Sequence, residues 1–238
     1  MEAPRSVLRR LNLLQKRRPQ KKPLPRVKSE SIVKRSFSVI LLLFLAFTLA
    51  AQEAKPDAAK EYKAKNYESA VDICLAEINA GKYTVDTYNI LLWSLNRQKR
   101  YRETITYGQQ ASKKYRDMRI VESMGVAYYY LANYDRALSS FKTYAAALPE
   151  GSFIDDVYYF MGEIYIRKGE FNNADIALTT AVHHYPKSAM WWARLGYARE
   201  QAGSYESALA AYDQALAINK NNAEAKGGRD RVAPKLNS

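Results

Sequence analysis

The 238-residue sequence holds one cysteine, Cys74, and two histidines, the adjacent pair His183 and His184. A lone cysteine excludes an intrachain disulfide framework and any multi-cysteine zinc site. Two neighbouring histidines leave a metal cage without its third and fourth ligands, so no metal and no cofactor is expected. Ten glycines and eight prolines are too few for a collagen-like or low-complexity chain. There is no GxGxxG, no Walker-type loop and no HExxH. Hydrophobic residues make up 47% of the chain, enough to bury a sizeable core, which sets aside wholesale disorder.

Charge is unevenly placed. Residues 1–36 carry 12 Lys or Arg against Glu2 and Glu30, a balance of +10, whereas residues 51–238 carry 25 against 22, or +3. A net charge of +13 would ordinarily suggest nucleic acid as the partner. Here the basicity belongs mostly to a Pro-rich leader, and the nearly neutral body gives no reason to expect a phosphate-binding face.

Behind the leader runs Val39–Ala51, thirteen residues that are apolar except for Thr48. As a helix it would span about 20 Å, short of the roughly 30 Å hydrocarbon core of a bilayer. A basic flank (Lys34, Arg35), a short apolar run at 37–50 and small exit residues describe a secretory signal peptide cut between Ala50 and Ala51. The alternative is an uncleaved signal anchor extending over Ser36–Ala54, with membrane contact through residues 36–54. Either reading exports residues 51–238, because the basic flank stays cytoplasmic; a bacterial periplasm is the expected compartment. Residues 1–32 are long, Pro-rich and basic for a signal sequence, and initiation at Val33 would leave a compact one.

The body repeats itself. The stretch from Trp192 to Ala215, shifted back 34 residues, places Tyr158, Met161, Gly162, Gly169, Phe171, Ala174, Leu178 and Ala181 in register, closed by Pro186. A further shift of 37 finds Gly125, Tyr128, Tyr134, Ala137, Phe141 and Pro149, the extra residues fitting the loop at Gly151–Phe153. Tyr88, Leu91, Leu95, Tyr101 and Ala111 form a weaker copy, with Leu92 and Gly108 where a small and a large residue are expected. The earliest copy keeps only its second half, around Tyr67, Ala70, Ile73 and Cys74. Apolar residues recur twice per copy at helical spacing, and Gly169 with Glu170 marks a tight turn between the two helices. Each helix pair exposes a second apolar face that only a neighbouring pair can cover.

A 34-residue period, a large–Leu–Gly opening, an Ala-x-x-x-aromatic middle and a closing Pro resemble the tetratricopeptide repeat (TPR) family. The resemblance implies an all-α, right-handed solenoid of about five helix-turn-helix repeats (51–84, 85–117, 118–151, 155–188 and 189–222). Residues 223–238 are expected to form a short polar capping helix and tail, weakened by Gly227 and Gly228 at about 1 kcal/mol each relative to Ala. The first helix of the earliest copy is expected to be short.

No catalytic constellation emerges, and the chain reads as a non-enzyme. Asp155 and Asp156 open a helix, where carboxylates suit the dipole and cap N–H groups. His183 and His184 close one. Cys74 falls on an inward helix face, as an inert buried thiol would. The TPR resemblance implies a protein or peptide partner lying in a concave groove lined by first helices. Carried over by position, the groove residues are Asn89, Trp93, Asn96 and Arg97, then Glu122, Tyr129 and Tyr130, then Tyr159 and Glu163, and finally Tyr197, although Tyr129 equally suits packing between repeats. The Lys and Asn clamp by which some family members hold a C-terminal carboxylate is missing; its places hold Asn89 with Trp93 and Glu122 with Val126. The expected role is an exported scaffold in envelope assembly or maintenance. The alternatives are a membrane-anchored assembly factor and a binder of small molecules or polysaccharide through its 19 tyrosines.

Overall fold

A computed structural model describes residues 56–236. The leader at 1–36, the apolar run at 37–50, the Ala50–Ala51 junction and the whole 36–54 segment lie outside the described residues. Among those described there are eleven α-helices, one terminal 3-10 turn and no strand. The helices are α1 (Ala58–Lys63), α2 (Tyr67–Asn79), α3 (Val85–Arg97), α4 (Tyr101–Ser112), α5 (Met118–Tyr130), α6 (Tyr134–Ala147), α7 (Ile154–Lys168), α8 (Phe171–His184), α9 (Ala189–Gln201), α10 (Tyr205–Ile218) and α11 (Ala223–Val232). None is long and apolar enough to cross a membrane.

The helices pair antiparallel as α1/α2 through α9/α10, and α11 closes the stack. First helices of successive pairs also touch each other, α1 to α3 and onward to α9 and α11, whereas second helices do not. This asymmetry draws the first helices together on one side and makes that side the concave one. The fold of the described body is therefore an α-solenoid. Its first helix is indeed short, six residues from Ala58 to Lys63.

Local chemistry explains where helices start. Asp57, Asp117, Ser188 and Asn222 each accept a backbone N–H at the start of α1, α5, α9 and α11. Thr84 and Thr87 form a reciprocal capping box at α3. The start of α7 differs from expectation. Its N-cap is Phe153 and no side chain caps it, so Asp155 and Asp156 face the helix dipole from the first turn without bonding its N–H groups. The Phe153 N–H donates instead to the Tyr144 hydroxyl at 3.2 Å.

One turn joins the helices of every pair. The N–H of Asn66, Arg100, Asn133, Glu170 and Ser204 each donates at 2.9 Å to a carbonyl five residues back, the Schellman closure. The residue before each donor is left-handed: Lys65, Lys99, Ala132, Gly169 and Gly203, with φ of 64°, 61°, 58°, 74° and 80°. Only the last two copies fill that position with glycine.

Inside the pairs, a small residue of the first helix meets a large one of the second. A Cβ on Gly125, Gly162 or Gly196 would lie 2.8, 2.5 or 2.6 Å from Phe141, Leu178 or Tyr212. The core runs along the stack as successive patches, the largest extending from Ala137 to Ala211. Cys74 is fully buried, and burial pushes its thiol up to about 12, in keeping with an unreactive core residue. The capping helix is docked: Ala225, Gly228 and Val232 are buried, and Arg231 forms a two-pronged bond to Glu200, both contacts at 2.8 Å.

Candidate partner-binding groove

The concave side holds a cavity of about 400 Å³ that runs obliquely across three first helices. The C-terminal half of α3 supplies Trp93, Asn96 and Arg97; α5 supplies Glu122, Val126 and Tyr130; the start of α7 supplies Phe153, Asp156 and Phe160. Tyr62 of α1, Lys99 of the α3–α4 turn and Tyr101 of α4 complete the rim.

Aromatic rings wall this groove. Trp93 lies between Tyr62 at 5.9 Å and Phe153 at 6.0 Å, centroid to centroid. Tyr130 stacks on Tyr101 at 4.9 Å and meets Phe160 edge-on at 6.2 Å. Phe160 is backed by the buried Phe141, stacked at 5.4 Å. Tyr130 is 54% exposed, an unusual fraction for a ring held by two others. Polar groups on the same wall are unspent: Trp93 Nε1 and Asn96 Oδ1 are buried without a hydrogen-bond partner in the protein. The Asn96 amide nitrogen meanwhile donates to the Ser123 carbonyl at 3.0 Å, which fixes the orientation of the side chain. The groove carries charge of both signs. Arg97 is held firmly cationic by the Tyr62 hydroxyl beside it. Glu122 is buried and desolvation raises its carboxyl to about 7, with the neighbouring Asp156 charge adding to the effect.

Five of the ten residues carried over by position thus come together: Trp93, Asn96, Arg97, Glu122 and Tyr130. The other five lie elsewhere. Asn89 is fully buried and donates to Asp117 at 3.4 Å between helices. Tyr129 packs on Tyr134 and Phe160, with its hydroxyl accepting from Arg167 at 3.3 Å. Glu163 is buried under Arg194, which also reaches Glu224 at 2.9 Å and sits 5.1 Å above the Tyr197 ring. Tyr159 stacks on Trp191 at 5.1 Å. Position within a repeat missed Tyr62, Lys99, Tyr101, Phe153, Asp156 and Phe160, because the cavity crosses the helices at a slant and draws on late positions of α3 but early ones of α7. The aromatic run Tyr128–Tyr130 and the Phe153–Phe160 segment, read as neighbours in a stack, carried that signal.

The basic run Arg97–Arg102 divides between two environments. Arg97 and Lys99 face the groove, while Arg100 pairs with Glu103 at 2.7 Å and reaches Glu68 at 3.5 Å. His184 closes α8 with its ring parallel to Tyr158 at 6.4 Å. Among the described residues no group of three or more His, Cys, Asp or Glu side chains gathers to hold a metal ion.

Tetratricopeptide repeat models match the sequence at residues 155–183 and 189–222. No curated protein matches it. Among solved structures, MamA MSR-1 is similar with a TM-score of 0.58 at 20% identity, over 70% of this chain and 94% of its own. MamA AMB-1 gives 0.59 at 18% identity, over 71% and 91%. The APC/C hetero-tetramer Cut9-Hcn1 gives 0.63 at 14% identity, over 74% of this chain and 34% of that one. At these identities the likeness is one of fold. Two repeats matched in sequence, continued towards the N-terminus by three more helix pairs closed with the same turn, make the described body a tetratricopeptide repeat solenoid.

Proposed function

We propose that the chain is a non-enzymatic scaffold that holds a protein or peptide partner in the groove between α3, α5 and α7. The observation that carries this reading is the wall itself: clustered aromatic rings, one more than half exposed, interleaved with the buried and unpartnered Trp93 Nε1 and Asn96 Oδ1. Exposed aromatics beside unspent polar atoms are what an interface hot spot needs. Trp93→Ala combined with Tyr130→Ala is expected to weaken an identified partner at least about tenfold by calorimetry, with circular dichroism and the thermal midpoint retained. Unchanged affinity would move the site elsewhere on the solenoid.

The compartment is part of the same proposal. The basic flank and the apolar run Val39–Ala51 support export of the repeats to an envelope lumen, where the scaffold serves assembly or maintenance. Intact-mass measurement of the protein from its native cells tests this. A start at Ala51 makes it a soluble exported scaffold; a retained apolar run makes it an anchored one and directs the partner search to membrane complexes.

A further inference from the structure

Three carboxylates are buried among the described residues, and they are not equivalent: Glu122, Glu163 and Glu200, 7%, 6% and 6% exposed. Glu163 is neutralised by Arg194, whose second nitrogen lies 3.2 Å away. Glu200 takes two bonds from Arg231 and a third from the Tyr212 hydroxyl at 2.7 Å. Glu122 accepts one bond, from its neighbour Ser123 at 3.2 Å, and belongs to no ion pair. The charge that acts on it is another carboxylate, Asp156. Both Glu122 and Asp156 line the groove, together with Trp93, Val126, Phe153 and Phe160.

A buried carboxyl group either keeps its proton or takes a cation, and none of the chain's own cations is paired with Glu122. Arg97 also lines the groove, but it acts on Asp156 and is engaged by Tyr62. Aromatic faces around a pair of carboxylates make a corner that attracts positive charge twice, through the ring quadrupoles and through the carboxylates. A long aliphatic stem would lie on Trp93 and Phe153 while its charged head reaches the acids. We propose that this corner receives the basic side chain, arginine or lysine, of a partner peptide, with its cationic head on Glu122 and Asp156. The assignment rests on the groove being the binding site, and it inverts the charge logic of a carboxylate clamp: the protein supplies the acids and the partner the base.

The test uses pools of acetylated, amidated dodecapeptides, random except for one central position set to Arg, Lys, Gln, Leu or Glu. Each pool is titrated against the full chain by fluorescence anisotropy. The Arg or Lys pool is expected to bind at least about tenfold tighter than the Gln pool, the worth of a charge-assisted contact. Glu122→Gln, nearly isosteric, is expected to erase that margin without lowering the thermal midpoint. Equal binding of the Arg, Gln and Leu pools would overturn the basic pocket and leave the groove reading standing. Tightest binding of the Glu pool would overturn it in favour of Arg97 and Lys99 as the anchor. Failure of every pool, or equal binding by the Trp93→Ala/Tyr130→Ala variant, would remove the groove reading and this inference with it.

Discussion

Two adjacent glycines in the capping helix are expected to answer the same substitution with opposite signs. Gly227 and Gly228 both lie inside α11, where alanine is favoured over glycine by about 0.8–1 kcal/mol. Propensity alone therefore has both Gly227→Ala and Gly228→Ala stabilise. Packing separates them. A Cβ on Gly227 would meet only the end of Arg231, at 3.5 Å. A Cβ on Gly228 would sit 2.1 Å from Tyr212 Cζ and within 2.5 Å of both neighbouring ring carbons.

The ring has nowhere to go. Tyr212 is fully buried, its hydroxyl is bonded to Glu200, and its opposite side rests on Gly196, where a Cβ would be 2.6 Å away. Overpacking of this kind costs about 1–3 kcal/mol, and the other escape, lifting α11, gives up the Arg231–Glu200 pair and the burial of Ala225 and Val232. Gly227→Ala is expected to raise the thermal midpoint by about 2–4 °C, as follows from about 1 kcal/mol in a chain of this size. Gly228→Ala is expected to lower it, and hydrogen exchange should show α11 amides opening first, because a solenoid loosens from its ends. A Gly228→Ala variant that gains stability as Gly227→Ala does would refute the docking of α11 on Tyr212.

Three further perturbations test other parts of the structure. Ala132→Gly relieves a left-handed alanine in the α5–α6 turn and is expected to stabilise by about 1 kcal/mol, read as a higher urea midpoint; Gly169→Ala is expected to move it the other way. Arg194→Met leaves Glu163 buried and unpaired, a loss of about 3–5 kcal/mol, and adding Glu163→Gln should restore most of it in the same assay. Glu122 ionises near 4.5 when unfolded and near 7 in the fold, so between those values the folded state holds the extra proton and stability falls as pH rises. At about 1.4 kcal/mol per unit, Glu122→Gln should gain up to about 3 kcal/mol at pH 8 and almost nothing at pH 4; parallel denaturation profiles would contradict the burial of a charged Glu122.

Much of the fold was legible because it is written several times. A helix that keeps Tyr158, Met161 and Tyr165 on one side, a turn at Gly169 and a second helix with Ala174, Leu178 and Ala181 make a pattern that three copies repeat. The recurring turn was only half legible. Glycine marks it at 169 and 203, while Lys65, Lys99 and Ala132 adopt the same left-handed conformation without advertising it. There the 2.9 Å closing bond and the packing of the two helices override the local preference. The capping helix was read as weak from its glycines, yet Gly228 is small because a tyrosine ring lies against it.

The second repeat carries the sharpest lesson about reading one copy against another. Leu92 and Gly108 each look like a mismatch when aligned position by position. In space they part: Leu92 is fully buried in α3 and only in ordinary contact, at 3.8 Å, with a Cβ on Gly108 of α4, whereas Met124 of α5 would lie 2.5 Å from that Cβ. Where Gly125 faces Phe141 inside its own pair, Gly108 is small against the next repeat, and the close approach it keeps is that of α4 to α5. The same reasoning explains the groove. Of the positions chosen within the repeat, Trp93 and Tyr130 line the cavity, while Glu163 and Tyr197 belong to an ion-pair cluster around Arg194. Each pair is rotated on the last, so a straight cavity meets α3 near its end, α5 along its length and α7 at its start. A cavity on a solenoid therefore has to be traced through the stack, with the register allowed to slide from one helix to the next.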